Sequence, residues 1–211
     1  SLQIGEIDGQ LQDSVDGPTL ARPTFEYNGQ AAWTVVDGDR IVRVVRSKTT
    51  GRISESEVDA RSIDDIDGEI SVIRLSHSGA RVAMIIDGHV YIAAVAQSSS
   101  GDKRIVNARE VGPEVSGSAL SLDWNADGSL IVGTSSSQSP VWRIEQDGSS
   151  ASTMPTGNIT APVVAVATSP TKLFITDSHA MLELPSTVMD ETNWREVSGL
   201  QGRRSSPIVS N

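Results

Sequence analysis

Four times along this chain an apolar run enters a short polar turn and leaves it as a second apolar run, with the copies following one another at roughly 40 to 50 residues. Phe25-Glu26-Tyr27-Asn28-Gly29 leads into Gln30-Ala31-Ala32-Trp33-Thr34-Val35, and Leu75-Ser76-His77-Ser78-Gly79 leads into Ala80-Arg81-Val82-Ala83-Met84-Ile85. The third copy is Trp124-Asn125-Ala126-Asp127-Gly128 with Ser129-Leu130-Ile131-Val132, and the fourth is Ala167-Thr168-Ser169-Pro170-Thr171 with Lys172-Leu173-Phe174-Ile175. A turn rich in Asn, Asp, Ser and Gly between β-branched runs reads as a hairpin, and Gly29, Gly79 and Gly128 mark the period.

In three copies a further strand follows the hairpin. Ile41-Val42-Arg43-Val44 comes after Asp37-Gly38, His89-Val90-Tyr91-Ile92-Ala93 after Asp87-Gly88, and Met181-Leu182-Glu183-Leu184 after Asp177-Ser178. Asp-Gly pairs supply the positive φ that two-residue hairpin turns demand. The third copy instead spaces its strands with Ser135-Ser136-Ser137-Gln138-Ser139-Pro140 before Val141-Trp142-Arg143-Ile144, and outer strands are expected at 105–108 and 194–197. A four-stranded meander at this period predicts an all-β fold, a β-propeller of four-stranded antiparallel blades with four blades readable. The weak alternation of Leu2, Ile4 and Ile7 and the tail Ser206-Pro207-Ile208-Val209, which echoes Arg22-Pro23-Thr24-Phe25, leave room for a partial fifth blade from the chain ends. Segments 46–69 and 97–104 read as excursions between strands.

No stretch carries a long 3.6-residue apolar period, and all 211 residues are read as one domain. With 17 Lys and Arg against 27 Asp and Glu the net charge is −10, and the basic residues are scattered, so nucleic acid is not an expected partner. No apolar run has the length of a membrane span, and no leader pattern opens the chain. The absence of cysteine excludes disulfides, thiolate metal sites and a cysteine nucleophile.

The residues offer little chemistry. His77, His89 and His179 stand at or beside hairpin turns without metal-site spacing, and no nucleophile elbow, P-loop or dinucleotide fingerprint is present. The expectation is therefore no catalytic, cofactor-binding or metal residue, no cofactor and no enzyme activity, with partner-binding residues unknown. Asp123-Trp124-Asn125-Ala126-Asp127-Gly128 fits the first half of a calcium loop, but its twelfth position is Thr134 instead of glutamate, which favours a plain turn. Trp33, Trp124, Trp142 and Trp194 read as packing residues between blades, with anchoring of a partner as the minority role. Asn158-Ile159-Thr160 is a sequon that matters only in a glycosylating pathway, and Asp64-Asp65-Ile66-Asp67 reads as a solvated acidic loop.

The Ser-His-Ser-Gly-Ala-Arg-Val-Ala and Asp-Trp-Asn-Ala-Asp-Gly-Ser-Leu-Ile-Val blades resemble the propeller domain of the actinobacterial LpqB lipoproteins. So do Ser139-Pro140-Val141-Trp142-Arg143 with Asp147-Gly148, and Arg22-Pro23 before the first copy; the resemblance spans essentially the whole chain. It implies the carboxy-terminal piece of a longer lipoprotein, on the extracytoplasmic face of the cell membrane and attached only through a lipid anchor outside these residues. It also implies a non-enzymatic protein-binding role, the partner being the extracellular domain of the MtrB sensor histidine kinase of the MtrA–MtrB two-component system. The alternative is a carbohydrate- or peptidoglycan-binding propeller, using the tryptophans for stacking and hydrolytic if carboxylates such as Asp123 and Asp127 share a cleft.

Overall fold

The computed structural model describes residues 22–27, 29–112, 115–156, 159, 161–177, 180–185 and 194–197, and the strand backbone of 2–5 and 11–15. Eighteen strands and one 3-10 turn, Arg61–Ile63, make up these residues. The first is a hairpin of β1 (Leu2–Gly5) and β2 (Leu11–Val15), a two-stranded sheet on its own. The tail proposed to share a fifth blade lies outside the described residues. Among the described residues no helix is long and apolar enough to cross a membrane.

Four four-stranded sheets follow, each wound antiparallel in chain order. The first is β3 (Thr24–Phe25), β4 (Ala31–Val36), β5 (Arg40–Arg46) and β6 (Ile53–Glu57). The second is β7 (Ile70–Leu75), β8 (Arg81–Ile86), β9 (His89–Gln97) and β10 (Lys103–Glu110). The third is β11 (Ala119–Trp124), β12 (Leu130–Thr134), β13 (Val141–Ile144) and β14 (Ala151–Thr153). The fourth is β15 (Ala165–Thr168), β16 (Lys172–Thr176), β17 (Met181–Pro185) and β18 (Arg195–Glu196). This is the blade architecture expected of a β-propeller. One outer strand corrects the sequence reading: Ile53–Glu57, taken as part of an excursion, is β6, because Val42 to Arg46 pair with it despite its polar Ile-Ser-Glu-Ser-Glu composition.

Two compact units divide the chain, Ser1–Ile86 with Ala93–Ala108 and Asp87–Ile92 with Arg109–Asn211. In the first, β3 and β4 lie against β7; in the second, β11 and β12 lie against β15. Second strands are buried along nearly their whole length, with all six residues of β4 and all five of β12 inside. A strand loses its in–out alternation in this way only when both faces of its sheet are covered, so these runs are continuously apolar. Burial then falls outward: β6 and β14 are mostly exposed, and Glu55, Glu57, Arg195 and Glu196 stud the outer edges, where charge discourages pairing with another chain. In the second unit, Ile131, Val141, Val163, Leu173, Ile175 and Leu184 form one buried cluster, and Trp194 packs against it.

The turns behave as their residues require. Asp37 and Gly38 have φ of 57° and 85°, and Asp87 and Gly88 have 47° and 79°, the paired positive values of a type I′ hairpin. The carbonyl of each turn glycine is then used by the sheet that follows. In the first unit Ile70 N–H donates to Gly38 O at 2.7 Å; in the second, Ala119 N–H donates to Gly88 O at 2.8 Å. Where the third sheet has its longer serine loop, Val163 N–H donates instead to Thr134 O at 3.0 Å.

Two glycines separate conformational from steric need. Gly79 has φ +68° with no atom within 4 Å of an added Cβ, whereas at Gly133 a Cβ would stand 2.5 Å from Ser121 Oγ and 2.8 Å from Val163 O. Asparagine tolerates the left-handed region. Gly79→Asn is therefore expected to recover most of the stability that Gly79→Ala loses, about 1–2 kcal/mol. At Gly133 the order reverses, since Ala overpacks at about 1–3 kcal/mol and the larger Asn does worse. Chemical denaturation of the four variants reads the two orders directly.

Candidate functional site

The loops between first and second strands carry the residues singled out in the sequence. Gly29 N–H donates to Glu26 O, Gly79 to Ser76 O and Gly128 to Asn125 O at 2.8 to 2.9 Å, so one turn shape recurs with different side chains on it. In the first copy Glu26 points inward. Its carboxylate accepts Trp33 Nε1 at 3.0 Å and Arg43 through Nε at 2.6 Å and NH2 at 3.1 Å. Burial alone would push the Glu26 carboxyl up, but the hydrogen bonds from Arg43 and Trp33 and the Arg43 charge outweigh it and hold the group below its ordinary value. Phe25 and Tyr27, on either side of Glu26, are 64% and 87% exposed, the only exposed aromatics among the described residues.

Asp123 and Asp127, the two carboxylates considered for hydrolysis, are both committed to the scaffold. Asp123 accepts Trp124 N–H at 2.9 Å and reaches the neighbouring sheet, where it accepts Thr168 N–H at 2.8 Å and Thr168 Oγ1 at 3.2 Å. Asp127 accepts Ser129 N–H at 2.9 Å and Ser129 Oγ at 2.6 Å through one oxygen, and Arg143 at 2.8 Å through the other. Although burial opposes it, the Ser129 bonds and the Arg143 charge hold the Asp127 carboxyl low, the reverse of what a general acid needs. Asp147 repeats the device with Ser149 N–H and Oγ at 2.9 and 2.6 Å, and the Ser149 bonds hold that carboxyl low as well.

The calcium reading fails on the same contacts. A calcium loop needs free carboxylate oxygens, yet both Asp127 oxygens have donors, one of them the arginine that occupies the cation's electrostatic place. Thr134, at the twelfth position, is buried and donates its hydroxyl to Ser139 O. Among the described residues no group of three or more His, Asp or Glu is arranged to hold a metal.

The tryptophans are interior. Trp33 and Trp124 are 0% and 2% exposed, Trp142 is buried with Nε1 donating to Ser139 O, and half-buried Trp194 donates to Pro155 O. That removes Trp33, Trp124 and Trp142 as stacking platforms for sugars. His77 sits in a turn, and His89, read without a carboxylate beside it, faces Glu110 at 2.9 Å across an exposed pair of strands. His179 and the acceptor Asn158 lie outside the described residues. In the acidic stretch, Asp64, Asp65 and Asp67 are exposed around buried Ile63, while hydrogen bonds from Arg61 hold Asp59 down to about 2. Sequence reasoning missed the Glu26–Trp33–Arg43 cluster and the aromatic pair around it. The available signal was the period itself: only the first copy has glutamate where the others have Ser76, Asn125 and Thr168.

Residues 1–210 match the family model described as the lipoprotein LpqB β-propeller domain. The chain is 43% identical over 99% of its length to lipoprotein LpqB of Corynebacterium diphtheriae, 37% to that of Rhodococcus jostii and 28% to that of Mycobacterium tuberculosis. It spans about 36% of the length of these relatives. Among solved structures it is similar to a chain of the nidogen/laminin complex at TM-score 0.62, with 14% identity, covering 86% of this chain and 65% of that one. Similarity to U3-55K has TM-score 0.58 and 15% identity, covering 89% of this chain and 55% of that one. At such identities the likeness is one of fold.

Glu26→Gln leaves Arg43 without its anion in a half-buried site, so a loss of about 1–3 kcal/mol is expected at neutral pH. Because the folded Glu26 is held below its ordinary value, its contribution is complete above that value and disappears as pH falls through the lowered one. The gap between wild type and Glu26→Gln should therefore close on acidification below about pH 5, as read by denaturation at a series of pH values. Millimolar calcium is expected to leave the Tm unchanged.

Proposed function

The chain belongs to the LpqB lipoprotein β-propeller family, and on that footing we propose that it is the protein-binding module of a cell-envelope lipoprotein, docking on the extracytoplasmic domain of an MtrB-type sensor histidine kinase. In this reading it has no reaction of its own. It presents rigid loops to the kinase, and occupancy adjusts signalling through the MtrA–MtrB two-component system, with the lipid anchor elsewhere in the full-length protein.

One observation carries this reading above a catalytic one: the carboxylates available for chemistry are already engaged in holding turns, Asp123 by Thr168, Asp127 by Ser129 and Arg143, Glu26 by Trp33 and Arg43. The low proton affinity of Glu26 and Asp127 suits permanent acceptors and not acid catalysts. Turns held by such contacts are rigid, and a partner can bind them without first ordering them. The glycan-binding alternative loses most of its motivation with Trp33, Trp124 and Trp142 buried and Trp194 packed against the core of the second unit.

Interferometry of the purified chain against the extracytoplasmic domain of the cognate kinase, with cell-wall glycan in parallel, tests the proposal. Saturable kinase binding without glycan binding is the expected result. Glycan binding alone, or turnover of a glycan substrate, would overturn it.

A further inference from the structure

Charge in the first unit is segregated by end. Thr24 Oγ1 accepts Leu75 N–H at 3.0 Å, which sets β3 and β7 side by side with their ends level. Arg46 N–H donates to Gln30 O and Val95 N–H to Ala80 O, so the loops 26–30, 47–52, 76–80 and 98–102 all emerge at that one end. They and the strand residues beside them carry Arg46, Lys48, Arg52, Arg81 and Lys103. Among the described residues Asp102 is the one carboxylate there besides Glu26, which Arg43 neutralises. At the other ends of the same strands lie Asp37, Asp39, Asp64, Asp65, Asp67 and Glu69, with Arg40 among them, while Asp59 and its partner Arg61 stand nearer the start of β10, where Ile105 N–H donates to Asp59 O at 2.7 Å. Strands of six or seven residues separate the two ends by about 20 Å, roughly two Debye lengths at physiological salt. A surface touching the 26–30 and 47–52 loops is thus shielded from Asp37 and Asp39, and the net charge of −10 does not describe what it meets.

The basic end also bears the exposed aromatics. Tyr27, 87% exposed, sits in the 26–30 turn, and Phe25 closes β3 beside it, both on backbone fixed by the Glu26 contacts. Cationic loops ringing a tyrosine and a phenylalanine are the make-up of a membrane-interface contact, where cations meet anionic headgroups and the rings enter the headgroup layer. We propose that this end of the first unit, Lys48, Arg52 and Lys103 with Tyr27 and Phe25, rests on the anionic phospholipid surface of the membrane, directing the acidic end outward. The membrane itself comes from the lipoprotein reading, since an anchored relative holds its propeller beside one. The contact fixes which way the module faces, something a flexible tether does not do.

Sedimentation of this chain, without any lipid anchor, with vesicles of phosphatidylglycerol and phosphatidylcholine or of phosphatidylcholine alone tests the contact independently of the kinase. Binding to the anionic vesicles at low salt, weakening as salt rises, is expected. Each Lys or Arg at an anionic surface strengthens binding roughly fivefold, so Lys48→Glu/Arg52→Glu/Lys103→Glu should lose at least about 100-fold. Tyr27→Ser should weaken binding severalfold, and Asp64→Asn/Asp65→Asn/Asp67→Asn, at the other end, should not weaken it. Circular dichroism confirms that each variant is folded. Equal partition into both vesicle types, no partition into anionic vesicles at low salt, or an unchanged triple variant would overturn the inference. Capture of soluble polyglutamate without vesicle binding would do so too, assigning the surface to an acidic protein segment. Kinase binding can fail while vesicle binding holds, and the reverse, so the two proposals fall separately.

Discussion

Each of the last three four-stranded sheets begins by donating a backbone N–H to a carbonyl at the hairpin or strand end of the sheet before it, and the rest of the architecture depends on that joint. Ile70 reaches Gly38 and Ala119 reaches Gly88 only because Asp37-Gly38 and Asp87-Gly88 turn through left-handed backbone, which aims the carbonyl outward along the sheet. A residue intolerant of positive φ at either turn would misdirect the acceptor as well as strain the loop. The third sheet meets the same requirement differently. Its serine loop is stitched to the segment ahead of β11, Ser118 N–H donating to Ser135 Oγ and Ser135 N–H to Ser118 O, and Thr134 supplies the carbonyl for Val163. Small residues follow from the closeness of these joints: Gly117 and Gly133 both face backbone that a Cβ would strike.

Carboxylates perform the second layer of fixation. The Asp-Gly-Ser triplets at 127–129 and 147–149 close their turns through one aspartate oxygen, and Glu26 and Asp123 extend the reach to other strands. A group held as a permanent acceptor is stabilised in its charged form, which lowers its proton affinity and removes it from acid–base chemistry. The same contacts stiffen the loops, and stiff loops bind at a lower entropic cost. On the proposed protein-binding role, scaffold chemistry and recognition are linked, because the contacts that hold these carboxylates as acceptors also stiffen the turns that would dock.

Local features were legible in the sequence and non-local ones were not. The glycine period placed the hairpins correctly, and the Asp-Gly pairs identified their turn type, since both depend on a few adjacent residues. β6 was not legible: Ile-Ser-Glu-Ser-Glu has the composition of a loop, and it is a strand because β5 offers it an edge. Glu26 and Arg43 are 17 residues apart and Asp123 and Thr168 are 45 apart, so nothing in the spacing joins them until the sheets bring them together. Tyr27 stands in the sequence as one residue of a turn; its near-complete exposure above a half-buried ion pair is a property of the fold.

On the proposed protein-binding role, the fixed loops and not an internal cleft meet the partner. Hydrogen exchange of the chain, free and with the extracytoplasmic domain of the sensor kinase at saturating concentration, tests it most directly. Slowed exchange confined to loop segments is expected, with the buried second strands β4, β8 and β12 unchanged. Unchanged loops, or protection that appears only within those buried strands, would contradict it.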